Sequence, residues 1–262
     1  MNVSPAGVYD FALGGTENTE ADRHMVERAK QVMPHIVLGA WANRGFLQRA
    51  VTRLAGEWGI NQFIDLGSGF PTQRNTHEVV AEQRPGGRVV YVDIDPRVVA
   101  KSQELLAGSD RVAAVQADVR DPQAILRHPR VRQMIDFEKP VAVLLVAVTH
   151  FLSDADNPWR LVEDYMAAVP SGSYLALSAV TSDRQEETWD QVLQADSRYE
   201  GFPRTRAEVD RFFTGLDIIP PYDGAKPEVA YIGLWGAEDP DLADDDGSRL
   251  AYAAVARKPD PS

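Results

Sequence analysis

Four places along the chain carry residue types that bind small molecules or move protons. Asp65-Leu66-Gly67-Ser68-Gly69 follows the apolar pair Phe63-Ile64. Asp93 and Asp95 close a second apolar run, and Asp118 closes a third. Thr149-His150 ends the most apolar stretch, Val141 to Val148. Glycines let a chain turn tightly and let a ligand approach main-chain N–H groups. A carboxylate at the end of the next strand can accept both hydroxyls of a ribose. Asp118, with the Val119 backbone beside it, is suited to an exocyclic adenine N–H. Position 72 is Thr, where a dinucleotide fingerprint wants Gly or Ala, and there is no G-K-[ST]. The short D-x-G-x-G form therefore suits an adenosyl ligand without a pyrophosphate. Histidine titrates in the range useful to a general base, which makes His150 the candidate for proton removal.

Each feature also has a purely structural reading. The glycine loop alone is an ordinary strand-to-helix turn. Asp95 before Pro96 reads as a helix N-cap. The sequence around Asp118, running to Asp121-Pro122, is also turn chemistry. His150 could simply cap a strand end. His24, His35, His77 and His128 read as surface or packing residues, His77 alone lying near the loop. Histidines do not recur at metal-ligand spacing, so no metal is expected. The tryptophans read as core, except Trp235, which reads as a pocket wall.

The 262 residues carry 27 Lys+Arg against 39 Asp+Glu, a net charge of −12. That balance disfavours a nucleic-acid partner, whose binding rests on phosphate neutralisation. With 44% hydrophobic and 25% charged residues the chain reads as globular. Zero cysteines exclude a disulfide framework, a thiolate nucleophile and a Cys-based metal site. The N-terminal residues show no basic cluster or apolar h-region, and the longest apolar run is too short for a bilayer. A soluble cytoplasmic protein without a membrane partner is expected.

The elements that must position these residues alternate. Residues 1–19 lack periodicity and read as a loose arm. Residues 20–58 read as helical with a break near Pro34 or Gly39. Strands are expected at 63–66, 88–93, 112–117, 141–149 and 173–179, then at 216–219 and 251–257. Helices are expected at about 72–84, 96–106, 122–134, 158–169, 183–200 and 205–213, the last opened by the capping-box spacing Thr205 to Glu208. Such alternation implies βαβ units and a parallel sheet with helices on both faces. Ligands bind at the carboxyl ends of such strands, where all four features fall. The acidic stretch 238–246 reads as a solvated loop.

Taken together, these stretches resemble the class I S-adenosylmethionine-dependent methyltransferases. More narrowly, they resemble an actinobacterial S-adenosyl methyltransferase family formerly catalogued as a domain of unknown function. The resemblance is carried by SPAGVYDFALGGTENTEADR, WANRGFLQRAV, FIDLGSGFPTQRNTHEV, VVYVDIDPRVV, VQADVRDPQAIL, PVAVLLVAVTHFL, TRAEVDRFFTGL and YAAVARKP. Residues 222–248 depart from the family pattern. The resemblance implies an α/β, Rossmann-like sheet, mostly parallel, of seven strands with the last antiparallel. It implies N-terminal arm and helices (1–58) covering the cofactor site of a methyltransferase core (59–262), within one compact domain. The implied cofactor is S-adenosyl-L-methionine. Its methionyl part would lie over Asp65, Gly67, Ser68 and Gly69, its ribose at Asp93 and Ile94, and its adenine near Asp118 and Val119. Ala147 to Phe151 would line the acceptor side, with His150 as base and Tyr9 orienting the acceptor. The arm around Tyr9, Gly14, Gly15 and Asn18 would fold over the cofactor. Arg44 would meet the cofactor carboxylate in a bidentate pair, or else form a surface ion pair. The implied partner is a small-molecule acceptor, and a homodimer is compatible. Two other readings stand beside this one. The chain could bind S-adenosylmethionine or S-adenosylhomocysteine without transfer. It could also be an NAD(P)-dependent oxidoreductase, against which Thr72 and Asp65 speak.

Overall fold

A computed structural model describes residues 3–72, 74–183 and 200–260. The helix expected over 183–200 falls almost wholly outside the described residues. Strands β1 (Gln62–Leu66), β2 (Arg88–Asp93), β3 (Val112–Gln116), β4 (Ala142–Val146) and β5 (Tyr174–Val180) run parallel. They are joined by β6 (Asp217–Ile218), β7 (Ala230–Tyr231) and β8 (Ala251–Arg257), with β8 antiparallel to β5, β6 and β7. The order is β3-β2-β1-β4-β5-β8-β6, and β7 pairs with β8 off that path. The order reverses between β1 and β4, which marks where a ligand crevice opens.

Two apolar layers hold the sheet. Alternate residues of each strand face opposite sides, so β1 sends Ile64 into one layer and Phe63 into the other. Val90 and Val89, Val143 and Ala142, and Leu175 and Tyr174 divide the same way. The Phe63 side is covered by α3 (Ile36–Thr52) through Phe46, Ala50 and Val51, and by α4 (Thr76–Gln83) through Val79 and Val80. The Ile64 side is covered by α6 (Pro122–Arg127), α7 (Pro129–Met134) and α8 (Pro158–Ala167). β8 is rich in alanine, a weak strand former. It is nonetheless central, because burial of Tyr252 and Val255 outweighs local propensity: a fully buried branched or aromatic side chain contributes roughly 1.5–3 kcal/mol.

Several expectations change. The sheet has eight strands, the two-residue β7 being too short for any periodicity; Tyr231 stacks on Tyr252 at 4.9 Å to hold it. The arm is not loose. Ser4 accepts the Gly7 N–H and Pro5 opens helix α1 (Pro5–Ala12). Two buried carboxylates order the segment. Asp22, in α2 (Glu20–Val32), accepts the Ser4 N–H at 2.8 Å. Asp10 accepts from Glu17 N, Asn18 Nδ2 and Thr72 Oγ1, the last at 2.6 Å. The helix expected from Thr72 starts at Thr76, behind an Asn75–Glu78 capping box. The helix expected over 122–134 breaks at His128, whose Nδ1 accepts the Arg130 N–H, because Pro129 removes a donor and restricts its predecessor. β4 stops at Val146. Ala147 takes φ 58 and a 3-10 turn covers Thr149–Phe151. Beyond these, α5 (Pro96–Leu105), α9 (Arg206–Arg211) and α10 (Pro240–Ala243) complete the described α-helices, and a π-helical turn over Arg53–Glu57 extends α3.

Candidate functional site

The carboxyl ends of β1 to β5 open onto a cavity of about 430 Å³, roofed by α1, α2 and α3. Small-molecule sites commonly have this size. Tyr9, Arg44, Asp65, Ser68, Asp93 and Ile94 border it, as do Gly67, Gly69, Asp118, Val119, Ala147 and His150. Gly15 does not. Its Cα faces Asp10 and Thr72 so closely that a Cβ would collide with both, so it serves the docking of the arm.

The glycine loop is bent where β1 ends. Gly67 N and Ser68 N both donate to Val92 O, at 2.7 and 3.1 Å. Gly67 has φ 69, and a Cβ there would lie 2.5 Å from Val148 Cγ2. Gly69 has φ 65 with open space where its Cβ would be. Asp93 braces this loop, accepting Gly69 N and Asp95 N, each at 2.9 Å. Burial raises the Asp93 pKa against those bonds. Asp65 is buried deeper and accepts from Thr76 Oγ1 at 2.7 Å. Desolvation pushes its pKa to about 6, although Thr76 and Arg44 oppose the shift.

The remaining carboxylates divide by role. Asp95 caps α5 through the Arg97 N–H and pairs with the Arg97 guanidinium at 2.7 Å, the helix-cap reading. Asp118 accepts the Arg120 N–H and grips its guanidinium at 2.6 Å, which holds its carboxyl below the ordinary range. That is turn chemistry, with both carboxylate oxygens engaged by Arg120, although the residue still borders the cavity. Tyr165 Oη donates to Val119 O at 2.8 Å and fixes that loop. Ile94 is 57% exposed, an apolar surface on the cavity rim.

On α3, Arg44 is buried rather than on the surface, with Nε unpartnered and its guanidinium 5.6 Å from the Tyr9 ring. Tyr9 Oη donates to Ala40 O and accepts from Asn43 Nδ2; burial raises its pKa. His150 borders the cavity with Nδ1 buried and unpartnered. Burial, aided by the positive Arg204, pulls its pKa to about 3, so the ring is neutral near pH 7. A base works best with a pKa near working pH. The pKa of this ring lies well below that range. Trp235 is not a pocket wall. It is fully buried against Phe46 of α3, in an edge-on contact at 5.6 Å. Sequence reasoning missed Ser178 and Thr76. Single hydroxyls at a strand end or helix start carry no distinguishing local signal. Among the described residues no cluster of three or more His, Asp or Glu side chains could hold a metal.

A parallel sheet that reverses between β1 and β4, a glycine loop after β1, an acidic end to β2 and an antiparallel β8 define the class I methyltransferase fold. The S-adenosyl methyltransferase family profile matches residues 2–259. A crystal structure from Thermobifida fusca YX, assigned as a methyltransferase, is 40% identical with a TM-score of 0.90. That match covers 98% of this chain and 96% of the other. A DUF574 family protein from Streptomyces avermitilis MA-4680 is 37% identical, also at TM-score 0.90, over 98% of each chain. Magnesium protoporphyrin IX methyltransferase from Synechocystis PCC 6803, solved with S-adenosylhomocysteine, shares the fold alone: 10% identity, TM-score 0.53, 96% and 93% covered. No curated protein sequence matches the chain. The chain belongs to the S-adenosyl methyltransferase family, whose members are S-adenosylmethionine-dependent methyltransferases.

Proposed function

We propose that this chain binds S-adenosylmethionine in the cavity and passes its methyl group to a small-molecule acceptor. One observation carries the reading: a single cavity joins the glycine loop and carboxylates of the β3-β2-β1 half to an apolar wall on the β4-β5 half. The cofactor, when bound, supplies a methyl group activated on a sulfonium, leaving alignment and dryness to the protein. Asp93 accepts the ribose hydroxyls, and Ile94 covers the adenine with Asp118 and Val119 at its edge. Gly67, Ser68 and Gly69 admit close backbone approach, and Ser68 Oγ is buried there without a partner. Asp65 sits beneath the loop. Arg44, a buried cation with a free Nε, pairs with the amino-acid carboxylate. Ala147 shapes the turn on the acceptor side, Tyr9 closes the roof, and His150 holds the acceptor by a hydrogen bond instead of acting as a strong base.

The net charge of −12 favours a small molecule over nucleic acid as acceptor. Among the described residues no helix is long and apolar enough to cross a membrane. The reading is of a cytoplasmic enzyme.

Calorimetric titration of S-adenosylmethionine, S-adenosylhomocysteine and NAD tests the proposal. The first two should bind with roughly micromolar Kd, near −8 kcal/mol, and NAD should not bind. Asp93→Ala should weaken both by tenfold or more, having lost charge-assisted hydrogen bonds. No binding of either adenosyl ligand would overturn the reading, and unchanged affinity in a folded Asp93→Ala variant would remove Asp93 from it.

A further inference from the structure

We infer that the apolar half of the cavity receives an uncharged, largely apolar ring compound that offers one hydroxyl to His150; the inference rests on the methyl-transfer reading above. Charge is unevenly spread along this one cavity. Its charged lining residues, Asp65, Asp93, Asp95, Asp118, Arg120 and Arg44, all come from the ends of β1 to β3 or from α3. Among the described lining residues, none contributed by the β4 and β5 ends, β8, α1 or α2 is Asp, Glu, Lys or Arg. That half is walled instead by Val146, Val148, Phe151 and Phe202, with Met25 and Val26 above. A carboxylate, phosphate or ammonium there would lose its water without gaining a counter-ion, a heavy cost.

The polar atoms of this half are nearly all spent. Asn43 Oδ1 accepts from Ser178 Oγ at 2.6 Å, and Asn43 Nδ2 donates to Tyr9 Oη at 2.9 Å. Tyr9 Oη donates in turn to Ala40 O, and Ser4 Oγ accepts from Gly7 N. Among the described residues that line this half His150 is the exception: its Nδ1 is buried with no partner. An unmet buried polar atom is costly, so a ligand donor that reaches it gains. The His150 backbone is fixed by its carbonyl accepting the Phe202 N–H at 2.7 Å, and the ring packs 4.3 Å from that of Phe151. Arg204 stands behind it, its guanidinium engaged by the Asp154 carboxylate and the Leu152 carbonyl. That ion pair is already internally matched, so it supplies no free counter-charge for an ionic group in this half.

The test uses the whole protein saturated with S-adenosylhomocysteine, whose binding is measured first. Three probes of one shape follow by calorimetry: 2-naphthol, 2-naphthoate and 2-methoxynaphthalene. 2-Naphthol should bind at least tenfold tighter than 2-naphthoate and several-fold tighter than the methyl ether. His150→Leu should erase the preference over the ether, and His150→Gln should keep part of it. Naphthoate binding as tightly as naphthol, no binding of any probe, or an unchanged preference in folded His150→Leu would each overturn the inference. If His150→Leu does not fold, the wild-type comparison and His150→Gln decide. Failure of S-adenosylhomocysteine itself to bind would instead overturn the methyl-transfer reading beneath it.

Discussion

Ser178 Oγ, at the end of β5, donates to Asn43 Oδ1 of α3 at 2.6 Å, inside the protein. The same hydroxyl accepts the Ala147 N–H at 2.9 Å, and Asn43 passes the chain on to Tyr9 in α1. One relay therefore ties the roof, the third helix and the sheet to the turn after β4. Ala147 is held in the left-handed region that alanine seldom adopts, so the relay stabilises a strained backbone next to His150.

Ser178→Ala and Asn43→Ala should each cost about 1–3 kcal/mol, because each leaves buried polar partners unmet. The two losses should not add. A double-mutant cycle by urea denaturation should give a coupling of at least about 0.5 kcal/mol. Additive losses would mean the two residues act separately.

The two loop glycines should respond differently to alanine. Both have positive φ, which costs an alanine about 1–2 kcal/mol. At Gly67 the new methyl also strikes Val148, whereas at Gly69 it meets open space. Gly67→Ala should thus lower the Tm markedly. Gly69→Ala should fold nearly as well and show its defect in S-adenosylhomocysteine affinity. Equal Tm losses would refute the distinction.

Asp65 predicts a pH dependence. The groups facing it are Thr76, Arg44 and Asp93, and its pKa in the folded protein is raised to about 6 from 3.8. A raised acid pKa contributes stability below the unfolded value and loses it as pH climbs through the folded one. Asp65→Asn removes that loss, at most about 3 kcal/mol at neutral pH. Thermal melts should show the variant gaining on wild type between about pH 4 and pH 6.5, and a constant gap above that. A gap that does not change between those two values would show that Asp65 titrates normally.

The arm should loosen when its Asp10 contact is disturbed. Thr72→Val removes the hydroxyl that Asp10 accepts at 2.6 Å, and Gly15→Ala drives a methyl into Asp10 and Thr72. Hydrogen exchange over residues 5–18 should quicken in both variants, more in Gly15→Ala, with the sheet amides unchanged. Exchange spread evenly over the molecule would instead indicate global destabilisation.

Much of the scaffold was legible in the amino-acid order. The β-branched run Val89 to Val92 and the apolar run after Pro140 announced strands buried on both faces. The Thr205–Glu208 pair announced a helix start, and β8 falls on the expected 251–257. These signals are local: a period of two, a cap, a proline. Where the local signal was weak the reading failed. The arm showed glycines and no period, and its order comes from Asp10 and Asp22 accepting bonds from distant donors. The break at His128 was signalled by Pro129 but lay inside an otherwise helical pattern.

The candidate site divides in the same manner. Residue types and their positions at strand ends singled out the glycine loop, Asp93, Asp118 and His150. Which of them share a cavity was decided by the strand order, and Gly15 and Trp235 face elsewhere. The state of each group was also decided by tertiary structure. Desolvation moves Asp65 up and His150 down, and depth of burial is not written in a residue's neighbours along the chain. Ser178 and Asn43 are 135 residues apart and meet only because β5 is laid beside β4 under α3. The sequence by itself determined the element types and the chemical repertoire, because periodicity and side-chain chemistry are local. Tertiary structure alone decided partners, burial and protonation, because those depend on atoms that folding brings together.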